Sequence, residues 1–331
     1  MKFPKMTTLA VLMAAIGSNA PVKAESSILN ASYDVSRELY KEINPAFAKF
    51  WKAKTGEDVT VNQSHAGSTK QAQSVAEGLE ADVVTLNQPT DLDFLVSKGV
   101  VSPDWRKEFP DAAAPYTTAS VFLVRKGNPK SIKDWDDLVR SGIGVVIPNP
   151  KTSGNGRYTY LAAWGYALSR DGGSEDKAKE FVKALFANVP VFDGGGRGAT
   201  TTFTQRSIGD VLVTFENEAA LIKKEIDGDN FEIVYPSLSV EAAPPVAVVT
   251  KVVEKRNSKA TAKAYLDFLY SAEAQAIIAR HHFRPRVAVK DAEFPPIKTF
   301  TVEDKIGPWA DVQKAHFSDG GIYDQIAVRT R

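Results

Sequence analysis

The chain contains no cysteine. That excludes disulfides, thiolate metal sites, iron–sulfur ligation and cysteine nucleophiles together. Histidine is scarce as well: His65, His281, His282 and His316 are the four. The adjacent pair His281-His282 sits at a predicted helix end beside Arg280 and Arg284, and neighbouring helical residues point about 100° apart, a poor geometry for one metal. No excess of one charge exists, since 41 basic side chains stand against 40 acidic ones. A field that would attract nucleic acid is therefore not expected. The G-x-S-x-G elbow, the H-E-x-x-H pair and the G-x-x-x-x-G-K-[ST] phosphate loop are all missing. What remains is an ordinary globular composition, 43% hydrophobic and 24% charged over 331 residues, enough for two domains of about 100–200 residues.

The first 24 residues read as an export signal rather than as part of the fold. Lys2 and Lys5 form a positive head, Thr7 to Ile16 is apolar, and Val22-Lys23-Ala24 fits a small-x-small cleavage site. The apolar run is shorter than the roughly 20 residues a spanning helix needs. Cleavage would remove three lysines and no acid, leaving 38 basic against 40 acidic groups. With no cysteine to carry a thioether-linked lipid, the mature protein is expected to be free in a bacterial periplasm.

Strand-like and helix-like runs then alternate. Ser27 to Tyr33 reads as a strand and Arg37 to Thr55 as a helix, with Leu39, Tyr40, Ile43, Phe47 and Phe50 at helical spacing. Val59 to Gln63, a helix from Thr69 to Leu79, and the strand Ala81 to Leu86 complete a β-α-β-α-β unit, which calls for a mostly parallel sheet. A second block follows: strands at Ala119–Arg125, 144–147, Val211–Phe215, 231–235 and 246–249, with helices from Arg157 to Leu168, Ala260 to Tyr270 and Ala272 to Arg280. Two α/β lobes are predicted. Tyr33, Trp51, Trp164 and Phe203 read as packing residues.

Three stretches rich in glycine, serine and threonine precede predicted helices. They are His65 to Gln71, Lys151 to Tyr158, and Asp193 to Thr202, the last with four glycines between 194 and 198. Ordinary helix capping would account for any one of them. Together they supply backbone that can approach a ligand closely, hydroxyls, and unpaired N–H groups at the positive end of a helix. Such a set holds an anion without a lysine or an arginine.

At these residues the sequence resembles the periplasmic sulfate-binding proteins, which deliver sulfate or thiosulfate to an ABC-type importer. The matching stretches are Ala31-Ser32-Tyr33-Asp34, Gln63-Ser64-His65-Ala66-Gly67-Ser68, Val121 to Lys130, Pro148 to Gly154, Tyr160 to Leu168, Gly196-Arg197-Gly198 and Phe215-Glu216-Asn217-Glu218. They run in order over nearly the whole mature chain. The resemblance implies an α/β fold, the two-lobe type II periplasmic binding fold, with mixed sheets flanked by helices and the ligand in the interlobe cleft. It also implies a discontinuous lobe, residues 25–117 plus 250–331, around a second lobe of 118–249.

By the same resemblance, Asp34, Ser68, Gly154, Asn155 and Gly196 contribute backbone N–H groups to a sulfate, and Ser153 its hydroxyl. Arg197 supports its loop, and the Asp34 carboxylate is turned away to accept bonds from the loops. Two positions depart from the family pattern. Asn155 stands where glycine is usual, at a backbone conformation that Asn tolerates better than most residues. Phe215 stands where an indole donor is usual. The expected partners are sulfate, with thiosulfate as an alternative, and the membrane permease of an ABC importer; no cofactor and no nucleic acid are expected, and the protein is expected to be a monomer. Molybdate and phosphate are further alternatives. An exported hydrolase using Asp34 or Glu216 as acid/base is the reading from a different class, while Glu216 and Glu218 read more simply as solvated or loop-buttressing carboxylates.

Overall fold

A computed structural model describes residues 26–226 and 228–327, so the expected signal segment 1–24 lies outside the described residues. Strand β1 (Ser26–Tyr33) runs into one 3-10 turn, Asp34–Ser36, and then α1 (Arg37–Thr55). α1 buries Leu39, Tyr40, Ile43, Phe47 and Trp51 along one face, which is what helical spacing of apolar residues produces. Trp51, rather than the more exposed Phe50, ends that stripe. Strand β2 (Val59–Ala66), α2 (Ser68–Ala76), β3 (Val83–Thr85) and α3 (Pro89–Ser97) follow. β1 pairs in parallel with both β2 and β3, the arrangement that β-α-β crossovers impose.

The chain then crosses into a second sheet through β4 (Tyr116–Arg125), buried along nearly all of its length. Next come β5 (Val145–Pro148), α4 (Gly154–Leu168), α5 (Glu175–Ala187), β6 (Phe192–Asp193), α6 (Gly196–Thr204), β7 (Val211–Phe215), the short α7 (Glu216–Leu221), β8 (Phe231–Val234) and β9 (Ser239–Ala242). β4 is antiparallel to β7, β8 and β9, whereas β5 is parallel to β6 and β7. This second sheet is therefore mixed. Thirteen of the fifteen residues of α4 are buried, so it is enclosed on all sides.

After Pro244-Pro245 the chain returns. Strand β10 (Val246–Val248) lies antiparallel to β3 in the first sheet, and α8 (Lys259–Phe268) and α9 (Ala272–Arg280) pack there. Strand β11 (Arg284–Pro285) pairs with the start of β4. The last part goes back to the second sheet: β12 (Thr299–Phe300) lies parallel to β9, and α10 (Ile322–Ala327) packs on α5. The tail therefore does not stay with the first sheet throughout residues 250–331, because its pairing partners β9 and α5 belong to the other body.

Candidate functional site

Four turns converge where the two bodies face each other: the 3-10 turn after β1, the loop after β2, the loop before α4 and the loop before α6. The approach is close enough to require glycine. A Cβ on Gly67 would run into the Thr152 carbonyl oxygen and lie 2.9 Å from that of Gly194, and one on Gly195 would lie 2.5 Å from Asp34 Oδ2. Thr152 Oγ1 also donates to the Gly194 carbonyl at 3.1 Å. All three predicted Gly/Ser/Thr stretches thus meet at one place.

Ser68 opens α2. Its hydroxyl donates to Asp91 Oδ2 at 2.6 Å and accepts from the Asn87 N–H at 2.9 Å. Asp91 is also bonded by Thr69 and Gln88. Its hydroxyl is committed in this way, and its main-chain N–H is one of the first-turn donors that have no intrahelical acceptor.

Ser153 caps α4 in extended conformation, φ −127° and ψ 126°, and its Oγ accepts from Gly156 N. Accepting leaves the hydroxyl proton to donate elsewhere. Gly154 and Asn155 follow as the first two residues of the helix, which begins before the expected Arg157. Asn155 is not among the residues with positive φ. The left-handed backbone expected of it is not needed, because a helical first turn suits any residue. Gly196 opens α6 in the same manner, so the glycine-rich stretch is half loop and half helix.

The Asp34 carboxylate is buried and accepts the Arg197 N–H at 2.9 Å. Burial raises its pKa, opposed by the bonds from Arg197, its own N–H and Val35. Arg197 reaches across the cleft, where Nη2 lies 2.6 Å from Glu38 Oε2 on α1, and it also stands 3.3 Å from Glu218 Oε2 on α7 of its own body. Glu218 is fully buried, and burial pushes its pKa up to about 7 against the pull of Arg197 and a hydrogen bond from Thr200. Glu216 is buried too, and Arg284 holds it with Nε at 2.7 Å and Nη2 at 2.9 Å. Neither carboxylate is solvated; each buttresses an arginine.

Phe215 ends β7 with its ring fully buried, edge-on to Tyr158 at 5.9 Å. The neighbouring Thr214 Oγ1 is 3.0 Å from Asn155 Nδ2, so the two positions that depart from the family pattern are coupled through one residue. His65 is bonded to Ser32 Oγ at 2.6 Å, and burial first, then nearby cations, lower its pKa to about 4. At neutral pH it is an uncharged ring. Tyr33, Trp51, Trp164 and Phe203 are all buried in the core.

Sequence reasoning missed two residues that tie the bodies together. Glu38 is one. The other is Arg157, which donates from α4 to Thr90 Oγ1 on α3 at 3.1 Å, to Gln313 Oε1 at 2.9 Å and to the Pro150 carbonyl at 3.3 Å. Its guanidinium also lies over the Phe317 ring at 4.4 Å. A basic residue in the first turn of a helix, where the dipole disfavours it, was the available signal.

Residues 31–284 match the family model described as bacterial extracellular solute-binding protein. The thiosulfate-binding protein of Pseudomonas aeruginosa is 56% identical over 97% of this chain and 98% of its own length. The sulfate-binding protein of Salmonella typhimurium is 52% identical over 95% of this chain and 97% of its own. Among solved structures, the sulfate-binding protein SubI from Mycobacterium tuberculosis superposes with a TM-score of 0.80 at 32% identity, covering 89% of this chain and all of that one. The fold is thus the α/β, two-lobe type II periplasmic binding architecture. On this shared fold and these identities, the chain belongs to the bacterial extracellular solute-binding proteins, within the family of sulfate and thiosulfate receptors.

Proposed function

We propose that the chain is a periplasmic receptor that holds a divalent sulfur oxyanion, sulfate or thiosulfate, between its lobes and hands it to the membrane permease of an ABC importer. The convergence of the first turns of α2, α4 and α6 on one spot carries this reading. The donors are the main-chain N–H groups of Asp34, Ser68, Gly154, Asn155 and Gly196 with the Ser153 hydroxyl, and Arg197 supports the loops behind them. A buried anion needs several such donors to replace its water. Both lobes supply them, so binding and closure are one event.

Selectivity follows from the donors. Sulfate and thiosulfate only accept hydrogen bonds, whereas phosphate at neutral pH carries a proton it must donate. The acceptor nearest the loops, Asp34, already takes the Arg197 N–H. An unpaired buried proton costs about 1–3 kcal/mol, enough to disfavour phosphate. The apolar ring of Phe215 accommodates the weakly accepting terminal sulfur of thiosulfate, which favours that ligand at least as well as sulfate. In this reading the first lobe takes residues 26–117 and 246–285, the second takes 118–245 and 299–327, and the receptor is an unanchored monomer released by cleavage after Ala24.

The test is calorimetric titration of the refolded mature protein with sulfate, thiosulfate, phosphate and molybdate at matched ionic strength. Micromolar or tighter binding of a sulfur oxyanion is expected, with Ser153→Ala weakening it by about 1–3 kcal/mol. Tight phosphate or molybdate binding without sulfate or thiosulfate binding would refute the reading, and turnover of a sulfate ester would revive the enzyme alternative.

A further inference from the structure

One side chain of the site has a polar atom that the fold leaves unpaired. Asn155 is 3% exposed, its Nδ2 rests 3.0 Å from Thr214 Oγ1, and its Oδ1 has no hydrogen-bond partner among the described residues. The carboxamide lies between the first turns of α4 and α6, since a Cβ on Gly196 would stand 3.3 Å from Asn155 Nδ2. Both turns face the cleft. A buried carbonyl oxygen without a partner is costly, and beside an anion it would also repel.

A carboxamide has a second orientation of nearly the same shape, with oxygen and nitrogen exchanged. The Thr214 hydroxyl serves either one, because it donates as well as it accepts. In the second orientation Thr214 Oγ1–H donates to Asn155 Oδ1, and the NH2 group occupies the unpaired position with its protons directed away from Thr214. An acceptor-only ligand satisfies that group, so the ligand selects this orientation.

We infer that the Asn155 carboxamide is itself a ligand contact, donating an N–H to the bound sulfur oxyanion while Thr214 fixes its oxygen. This rests on the oxyanion reading above and extends it, adding a side-chain donor to the main-chain N–H already assigned to Asn155. The consequence is a donor that mutation can remove without touching the backbone.

The experiment titrates sulfate and thiosulfate into the purified protein, stripped of anion by unfolding and refolding, and into Asn155→Ala, Asn155→Asp and Ser153→Ala, with a thermal melt of each. Asn155→Ala is expected to weaken binding about tenfold or more, the size of a hydrogen bond to a charged group. Asn155→Asp is expected to weaken it further, since its carboxylate presents charge and no donor. The side-chain amide pair that disappears from the 15N spectrum in Asn155→Ala is expected to shift when sulfate is added to the unaltered protein. Affinity of Asn155→Ala within about twofold of the unaltered protein would overturn the inference, as would an amide pair that does not move. Should Asn155→Ala fail to fold, the isosteric Asn155→Asp and its missing amide pair decide by the same criteria. If Ser153→Ala weakens binding and Asn155→Ala does not, only the Asn155 role falls. If the unaltered protein binds neither anion, the receptor reading falls and takes this inference with it.

Discussion

Glu38→Gln separates closure from ligand contact. Glu38 belongs to the first body and Arg197 to the second, and they meet at 2.6 Å with side chains 22% and 27% exposed. A fully exposed pair contributes about 0–1 kcal/mol, and a hydrogen bond to a charged group about 1.5–3 kcal/mol. Partial burial places this one between, at about 1–2 kcal/mol. Glutamine keeps the shape and an accepting oxygen, so the charge alone is lost. Arg197 retains Glu218 at 3.3 Å, and no cation is stranded. Because the contact forms only when the bodies meet, the whole loss falls on the closed form, and anion affinity should drop about 5- to 30-fold. Calorimetric titration gives that ratio, and a melt without ligand gives the stability of the open form. An unchanged Kd beside a lowered ligand-free Tm would refute the reasoning, since it would place the pair within the open protein.

Gly67→Ala should abolish tight binding while leaving ligand-free stability unchanged or slightly raised. The Gly67 backbone, φ −55° and ψ 140°, accepts alanine, and the collision is with Thr152 and Gly194 of the opposite body; retained affinity would show that the loops do not close as tightly as described. Phe215→Trp should cost about 1–3 kcal/mol of stability by overfilling an enclosed site, while its indole N–H raises preference for sulfate over thiosulfate; an unmoved ratio of the two Kd values would count against Phe215 as a wall of the site. Glu218 gives a pH signature. Its folded pKa of about 7 lies above the ordinary 4.5, so between those values the folded state binds more protons and the carboxyl's contribution to stability falls as pH rises. Against Glu218→Gln, which does not titrate, the stability of the unaltered protein should decline from pH 4.5 to 7, and a flat difference by chemical denaturation would dismiss the buried carboxyl as its source.

Elements with a strong apolar period were legible in the sequence. α1 was predicted from Arg37 to Thr55 and α9 from Ala272 to Arg280, as they stand. The start of α6 is not legible, because Gly196 and Gly198 argue against a helix on propensity; contact with Val35 of the first body selects a small residue at 196, and crowding by Asp193 of its own loop one at 198. The sequence pattern predicts no helix over α5, and β9 is so short that its register comes from β4 and β12 rather than from its own pattern. The return of the tail to the second sheet depends on β12, a two-residue strand whose pairing no local rule announces. At the site, the glycine loops marked the place, since glycine carries its reason in its own chemistry. Glu38 did not, because an acidic residue in the first turn of a helix looks the same whether it faces water or another lobe, and Arg157 showed only in its unfavourable place on the helix dipole.

The enclosure of α4 has a consequence for redesign. Packed on every side, the helix cannot be tilted or slid to suit an anion of another size without unpacking Tyr160, Leu161 and Trp164. Its first turn behaves as a fixed jaw, carried whole by the second lobe. Directed evolution of this protein toward selenate or chromate would then find few useful changes that shift the helix, and the productive ones should gather beside it at the end of β7, at Thr214 and Phe215.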